Sequence, residues 1–584
     1  MRSTRRRSRA SRWAPRGLAL AASLAACRDP HPTPVWEGAG SARPRRGGVL
    51  RFAYDTDVST ADPALAQDTV AAIPTRLIFD TLVGYAPRST EVVPDLAERW
   101  EVSPDGATYT FHLRPDARFS NGRALTSADV RYSFERLLDT RRLASPGAEN
   151  YRLIRGYDDF RAGRARALEG IATPDPRTVV FHLSAPDPTF LHVLAMRFAA
   201  PVPREVVEAI GDERFGMEPV GTGPFALVRW EKATRMTFSR NAFHHDAARV
   251  HLDGIVFELS VPPHLQFMRM LAGDLDYVSN YGVATADWLW LRRHPAWLAH
   301  THRAEIPLIG AFMMNTRMRP FDNVHVRRAV AASIDREALA RMRNGRIAAA
   351  GSLYPSSIEG HRANNPLRQR YDPALARREM ALAGMPRGYD EEVDLWTSEG
   401  ESASLLAQMI QGDLRRIGIR ARIRQAALSV YYTSLGVPNT VPMAFDGWQM
   451  DFPDPANFIE PNFHSRGIRD ENSSNHAFYR NPALDALLDR ARSERDHRAR
   501  IALYEQAEDL VLADAPWAFV YTPVSVSVTQ PYVKGWSPHP VWNDWLGDAW
   551  LDLPRRRWTA RRAQALRALG AVAPLALPFG EATP

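Results

Sequence analysis

Apolar positions along the chain switch repeatedly between a spacing of two and a spacing of three to four, the layout of a mixed α/β protein. Gly47-Gly48 opens the run Val49 to Tyr54, a predicted strand, and a polar loop follows from Asp55 to Pro63. Ile73 to Tyr85 sets Leu77, Ile78 and Leu82 on one helical face and predicts a helix. From Val92 the pattern becomes β. Asp105-Gly106 marks a hairpin turn, after which Tyr109, Phe111 and Leu113 alternate with Thr110 and His112. Thr126-Ser127-Ala128-Asp129 is a capping-box sequence, able to satisfy free N–H groups at a helix start. Val130, Phe134, Leu137 and Leu138 then form that helix's buried stripe, and Val179 to Leu183 predicts a second strand.

Gly221-Thr222-Gly223-Pro224 lacks the Gly-Lys-Ser/Thr of a phosphate cradle and predicts a tight crossing between domains, leading into the strand Phe225 to Trp230. Val256 to Val261 reads as a strand, Leu265 to Ala272 as a short helix, and a longer helix runs through Ala340. Glu391–Trp396, Ser402–Ile417 and Ile419–Ile423 form a β-α-β run, the mark of an α/β lobe. Asn481-Pro482 starts one helix by cap and first-turn proline, and Arg498 to Leu512 forms another. Phe519 to Val528 is an apolar strand returning toward the first lobe.

One stretch breaks both periods: Gly447-Trp448-Gln449-Met450-Asp451-Phe452-Pro453-Asp454-Pro455-Ala456-Asn457-Phe458. Its two prolines fix their own φ and push the residue before each out of the α region, so a rigid loop is expected over the whole stretch. Such a loop holds the Trp448 ring beside the Asp451 carboxylate, a pair suited to stacking on an apolar group while binding a cation. The competing reading of an isolated W-x-x-D is a structural turn whose Asp caps a helix or pairs with an Arg.

Length and charge sharpen this picture. A chain of 584 residues exceeds one core and implies two or three domains. Residues 1–26 carry seven Arg and no acid before a short apolar run, the layout of a secretory signal, too short for a permanent membrane span. Leu24-Ala25-Ala26-Cys27 resembles a bacterial lipobox, in which the cysteine is lipidated, and Cys27 is the only cysteine of the chain. Residues 27–46, rich in Pro, Gly, Ala and Arg, are expected to be a flexible tether. The tail 554–584 is basic. With +7 from residues 1–26 and +5 from the tail set aside, the overall +8 leaves the body at −4, which excludes a nucleic-acid reading based on pI. No G-x-S-x-G or H-E-x-x-H occurs, His112 and His182 are expected to face solvent, and His244-His245 to lie in a loop. No catalytic residue, cofactor or metal site is therefore expected.

Six blocks occur in an order similar to the family 5 extracellular solute-binding proteins of bacterial ABC importers, which bind peptides, oligopeptides or nickel. They are Val93–Trp100, Tyr109–Arg114, Phe119–Arg136, Val220–Phe225, Asn315–Val330 and Gly447–Phe458. The resemblance implies an α/β, two-lobe periplasmic-binding-protein-like fold (type II, cluster C) with an extra subdomain and a discontinuous first lobe. Lobe I would comprise 47–90, 221–310 and 521–553, the inserted subdomain 91–220, and lobe II 311–520. It further implies a ligand trapped between the lobes by hinge closure and handed to a membrane permease, without covalent chemistry. In peptide-binding relatives the Asp of the W-x-x-D position pairs with the ligand's α-ammonium. That role falls on Asp451, with Trp448 walling a side-chain pocket and the Gly447 backbone lining the cleft; Met450 and Trp396 complete the expected set. Dipeptide-type relatives place an Arg for the ligand carboxylate where this chain has Trp396-Thr397-Ser398-Glu399-Gly400-Glu401, which points toward oligopeptides. The expectation is a monomeric, periplasmic, lipid-anchored peptide-binding protein, held to the membrane through Cys27 and serving ABC permease subunits. The alternatives are the same fold binding a non-peptide solute (metal chelate, sugar or other small molecule) and, more distantly, a hydrolase.

Overall fold

The computed structural model describes residues 39–553. The signal segment 1–26, Cys27 and the tail 554–584 lie outside the described residues. Of the expected tether 27–46, residues 39–46 are fastened rather than free. The Gly40 and Ser41 amides donate to the Asp552 carboxylate at 2.9 and 3.1 Å, and Arg45 donates to the Leu553 carbonyl.

The first sheet orders Val49–Ala53, Gly254–Glu258, Arg235–Arg240 and Phe225–Glu231, with the first pair parallel. Leu50, Phe52, Phe238, Ile255 and Phe257 share a core with Tyr532, Trp536 and Leu551 from the far end of the chain, so this lobe is assembled from separated stretches. A second, antiparallel sheet orders Ala97–Val102, Thr108–Leu113, Thr178–His182 and Ile171–Asp175. Tyr109, Phe111 and Leu113 point into its core, as the period of two requires. The helix Ser127–Leu138 covers that core. Its Asp129 carboxylate accepts the Thr126 amide at 2.9 Å, closing the expected capping box. His112 and His182 remain partly exposed, beside Glu101 and Thr108.

The largest sheet centres on Leu308–Met314, flanked by Met443–Gln449 and Trp517–Thr529, with Glu392–Ser398 and Arg420–Ala426 beyond in a parallel pair joined by the helix Glu401–Arg416. Trp517–Thr529 is the long crossing element. One end pairs with Leu308–Met314 and Ile347–Ala349, the other with Thr301–Glu305 and Tyr277–Val278. No helix among the described residues is long and apolar enough to cross a membrane.

Three expectations fail for physical reasons. The helix expected to reach Tyr85 spans Thr69–Ile78, and Val83–Tyr85 is a strand paired with Val92–Pro94. The glycine crossing ends it: the Gly223 amide takes the Ile78 carbonyl at 2.7 Å, and a Cβ on Gly221 would stand 2.2 Å from that same oxygen. The helix expected through Ala340 is two, Val324–Ser333 and Arg336–Met342, because Asp335 accepts the Ala338 amide and caps a new start. The stretch 447–458 is not wholly loop. Gly447, Trp448 and Gln449 end the strand Met443–Gln449, and Pro455 opens the helix Pro455–Phe463. Only Met450 to Asp454 turns between them.

Candidate ligand-binding site

The strand Met443–Gln449 runs antiparallel to Leu308–Met314, with Gly447 opposite Gly310 and Trp448 opposite Ile309. A side chain at Gly447 would meet the Ile309 carbonyl at 2.6 Å, so the close strand approach demands glycine. After the turn, Asp454 accepts the Ala456 amide at 2.9 Å and caps the following helix, whose first position is Pro455. Asn457 sits in the first turn of that helix, 6% exposed. Its Oδ1 accepts the Asp451 amide at 2.8 Å and the Trp448 Nε1–H at 3.2 Å, while its Nδ2 donates to the Asp451 carboxylate at 3.3 Å. One amide side chain thus fixes both the ring and the acid.

Asp454 has a second partner. Arg500, from the helix His497–Asp514, donates to both its oxygens at 3.0 and 2.6 Å, with both side chains buried. Burial opposes the Arg500 charge, but the bidentate carboxylate outweighs it and raises the guanidinium pKa.

A cavity of about 430 Å³ opens beside this turn. One wall is the inserted subdomain, including Arg152 and Asp187; the other includes Trp448, Asp451 and Arg469. The Asp451 carboxylate is reached by water through the cavity yet crowded by protein on its other sides. That desolvation pushes its pKa up, against the opposing hydrogen bond from Asn457 and the positive field of Arg197. Asp451 forms no ion pair among the described residues. Glu460, by contrast, is saturated by Arg466, Arg492 and the Tyr504 hydroxyl. Arg152 and Arg469 are exposed to the cavity from opposite walls and likewise form no ion pair among the described residues. The cavity therefore offers both an unpaired carboxylate and unpaired guanidinium groups, the electrostatic complement of a zwitterion. Phe452 bridges the walls. It is 7% exposed, belongs to the hydrophobic core of the subdomain and stacks on His192 at 6.3 Å.

Of the residues expected in the site, Trp448 and Asp451 line the cavity. Gly447 lies in the paired strand beneath, and Met450, 9% exposed, belongs to the second lobe's core. Trp396 packs on that same core with Arg424 over its ring at 5.9 Å. These three are not among the cavity's lining residues. Asn457, Arg152 and Arg469 escaped the sequence reading. Asn457 stood inside the stretch singled out, but its partners become visible only once the strand-turn-helix geometry is known.

A two-lobe α/β fold with a polar interlobe cavity is the architecture of a solute-binding protein. The chain belongs to the bacterial extracellular solute-binding proteins, family 5: the model described as "Bacterial extracellular solute-binding proteins, family 5 Middle" matches residues 91–470. It is 28% identical to the dipeptide-binding protein of Escherichia coli strain K12 over 490 residues, 80% of this chain and 87% of that protein. Among solved structures it resembles the clavulanic acid biosynthesis oligopeptide binding protein 2, with a TM-score of 0.80 and 26% identity over 89% of this chain and 100% of that one. It also resembles the ABC transporter-associated periplasmic binding protein DppA from Helicobacter pylori in complex with peptide STSA. There the TM-score is 0.71 and the identity 26%, over 87% and 99% of the two chains.

Proposed function

We propose that this protein captures peptides in the interlobe cavity and delivers them, chemically unchanged, to the permease of an ABC importer. The observation that carries the reading is the unpaired Asp451 carboxylate, held by Asn457 beside the Trp448 ring on one wall of the cavity. Asp451 takes the peptide's α-ammonium, Trp448 walls a side-chain pocket, and Arg152 and Arg469 face the anionic groups of the ligand. The volume suits a small ligand largely enclosed by protein. The peptide-binding relatives and the peptide-bound structural neighbour support the same ligand class.

Calorimetric titration of ligand-stripped protein with short peptides tests this. Asp451→Ala lowers affinity about 10–100-fold, the worth of a charge-assisted pair of about 1.5–3 kcal/mol, with the unfolding midpoint unchanged. N-acetylated peptides bind both proteins equally weakly. Undiminished binding by the variant removes the ammonium from Asp451 and turns the reading toward a non-peptide solute.

The extracytoplasmic setting extends the proposal. The Arg-rich segment, the apolar run and Leu24-Ala25-Ala26-Cys27 support export and a lipid on Cys27, so the mature protein works at the membrane surface. Detergent-phase partitioning of the native protein, abolished by Cys27→Ser, is the expected result; unchanged partitioning rules the anchor out.

A further inference from the structure

Outside the cleft, a group of side chains is gathered that peptide capture does not use. Asp80 follows the helix Thr69–Ile78, Asp95 follows the strand Val92–Pro94, and His244 and His245 sit in the turn after Arg235–Arg240. His244 Nε2 stands 3.5 Å and His245 Nδ1 3.8 Å from Asp80 Oδ2, and one ligand atom from each of the three residues lies within 4.8 Å of the others. The Asp80, His244 and His245 side chains are 9%, 9% and 8% exposed. Asp80 Oδ2 is buried and accepts no hydrogen bond. On the far side of the second imidazole, His245 Nε2 faces Asp95 Oδ1 at 3.5 Å. The group borders a separate cavity of about 190 Å³, which shares no lining residue with the cleft.

These spacings are too long for good hydrogen bonds, yet four polar side chains converge with their charges desolvated. A tetrahedral ion with bonds of about 2.0–2.2 Å holds its donors ~3.3 Å apart, so Asp80 needs to close by only a few tenths of an ångström on each ring, and the two ring nitrogens, within 4.8 Å of one another, by at most about 1.5 Å. We propose that Asp80, His244 and His245 bind a divalent transition-metal ion of the zinc class, with Asp95 holding the second histidine ring from behind. Two imidazoles and a carboxylate suit zinc, copper, iron or nickel and are a poor set for calcium or magnesium. Asp95 supplies the carboxylate–histidine–metal relay that orients a ligating ring. The fourth position opens to the cavity, where water completes the shell. In the bound state the His244 proton resides on Nδ1, so the 3.2 Å hydrogen bond that Nδ1 now accepts from the Asp246 amide is given up. The ion exchanges that contact for a staple between the histidine turn and the segment entering the Val83–Tyr85 strand.

The test uses purified, chelator-stripped, tag-free protein titrated with Zn²⁺ against a competing chromogenic chelator. One equivalent binds, the thermal midpoint rises, and His244→Asn with His245→Asn weakens binding at least 100-fold. His264→Asn, a change at an exposed histidine, and Asp451→Ala both leave Zn²⁺ binding unchanged, which separates this site from peptide capture. Absence of stoichiometric Zn²⁺ binding, or undiminished binding by the folded double variant, overturns the proposal. If that variant does not fold, the Co²⁺-loaded native protein decides: X-ray absorption showing two imidazole ligands supports the site, and absorption showing none overturns it.

Discussion

The role proposed for Asp451 rests on what surrounds it and not on its residue type. Asn457 orients the carboxylate without neutralising it, and crowding by the cavity walls raises its pKa despite Arg197. Pairing with an ammonium requires the ionised form. Peptide affinity is therefore fully present above the raised pKa and falls as pH drops through it, at a higher pH than the ordinary aspartate value of about 3.9 would give. Titrations across mildly acidic pH should show this decline in the native protein and a flat profile for Asp451→Asn; matching profiles would falsify Asp451 as the titrating group. The W-x-x-D spacing pointed to this acid directly. It did not reveal Asn457, nor that Met450 turns inward, since neither the partner across a turn nor the face of a short connection follows from spacing.

At the scale of the element, the stretch 447–458 shows where local rules mislead. Pro455 leaves Asp454 before it extended, as expected, yet one proline of the stretch sits within a turn and the other at the first position of a helix, and the sequence does not distinguish these. What decides is Asp454, which caps that helix and also neutralises buried Arg500 from a helix that begins about forty residues later. Asp454→Ala removes the cap and strands a buried guanidinium, and should cost roughly 3–5 kcal/mol of lobe stability. Asp454→Asn keeps the cap and still loses the charge, so its cost should fall in between. Denaturant unfolding followed by tryptophan fluorescence measures both, and a loss below ~1 kcal/mol for the alanine variant contradicts this account of the turn.

For the whole molecule, the lobes are joined by the crossing strand Trp517–Thr529 and, in this conformation, clasped by Phe452 in the subdomain core. Burying one aromatic side chain is worth about 1.5–3 kcal/mol, enough to shift an open–closed balance about 10–100-fold. Phe452→Ala is expected to enlarge the ligand-free radius of gyration in solution scattering and to weaken peptide binding, because closure then takes more of the ligand's interaction energy. An unchanged radius would show that other contacts hold the lobes together. The sequence by itself determined the α/β class, the order of most strands and helices, the family resemblance and an acid, Asp451, that lines the cavity. Each of these rests on residues close together in the chain, where spacing reports directly on periodicity, capping and turn chemistry. Only the tertiary structure decided where the helix after Thr69 stops, which Arg residues line the cavity with Asp451, and that His244 and His245 meet Asp80. Those outcomes depend on contacts between segments far apart in sequence, fixed when the lobes pack and invisible to any local pattern.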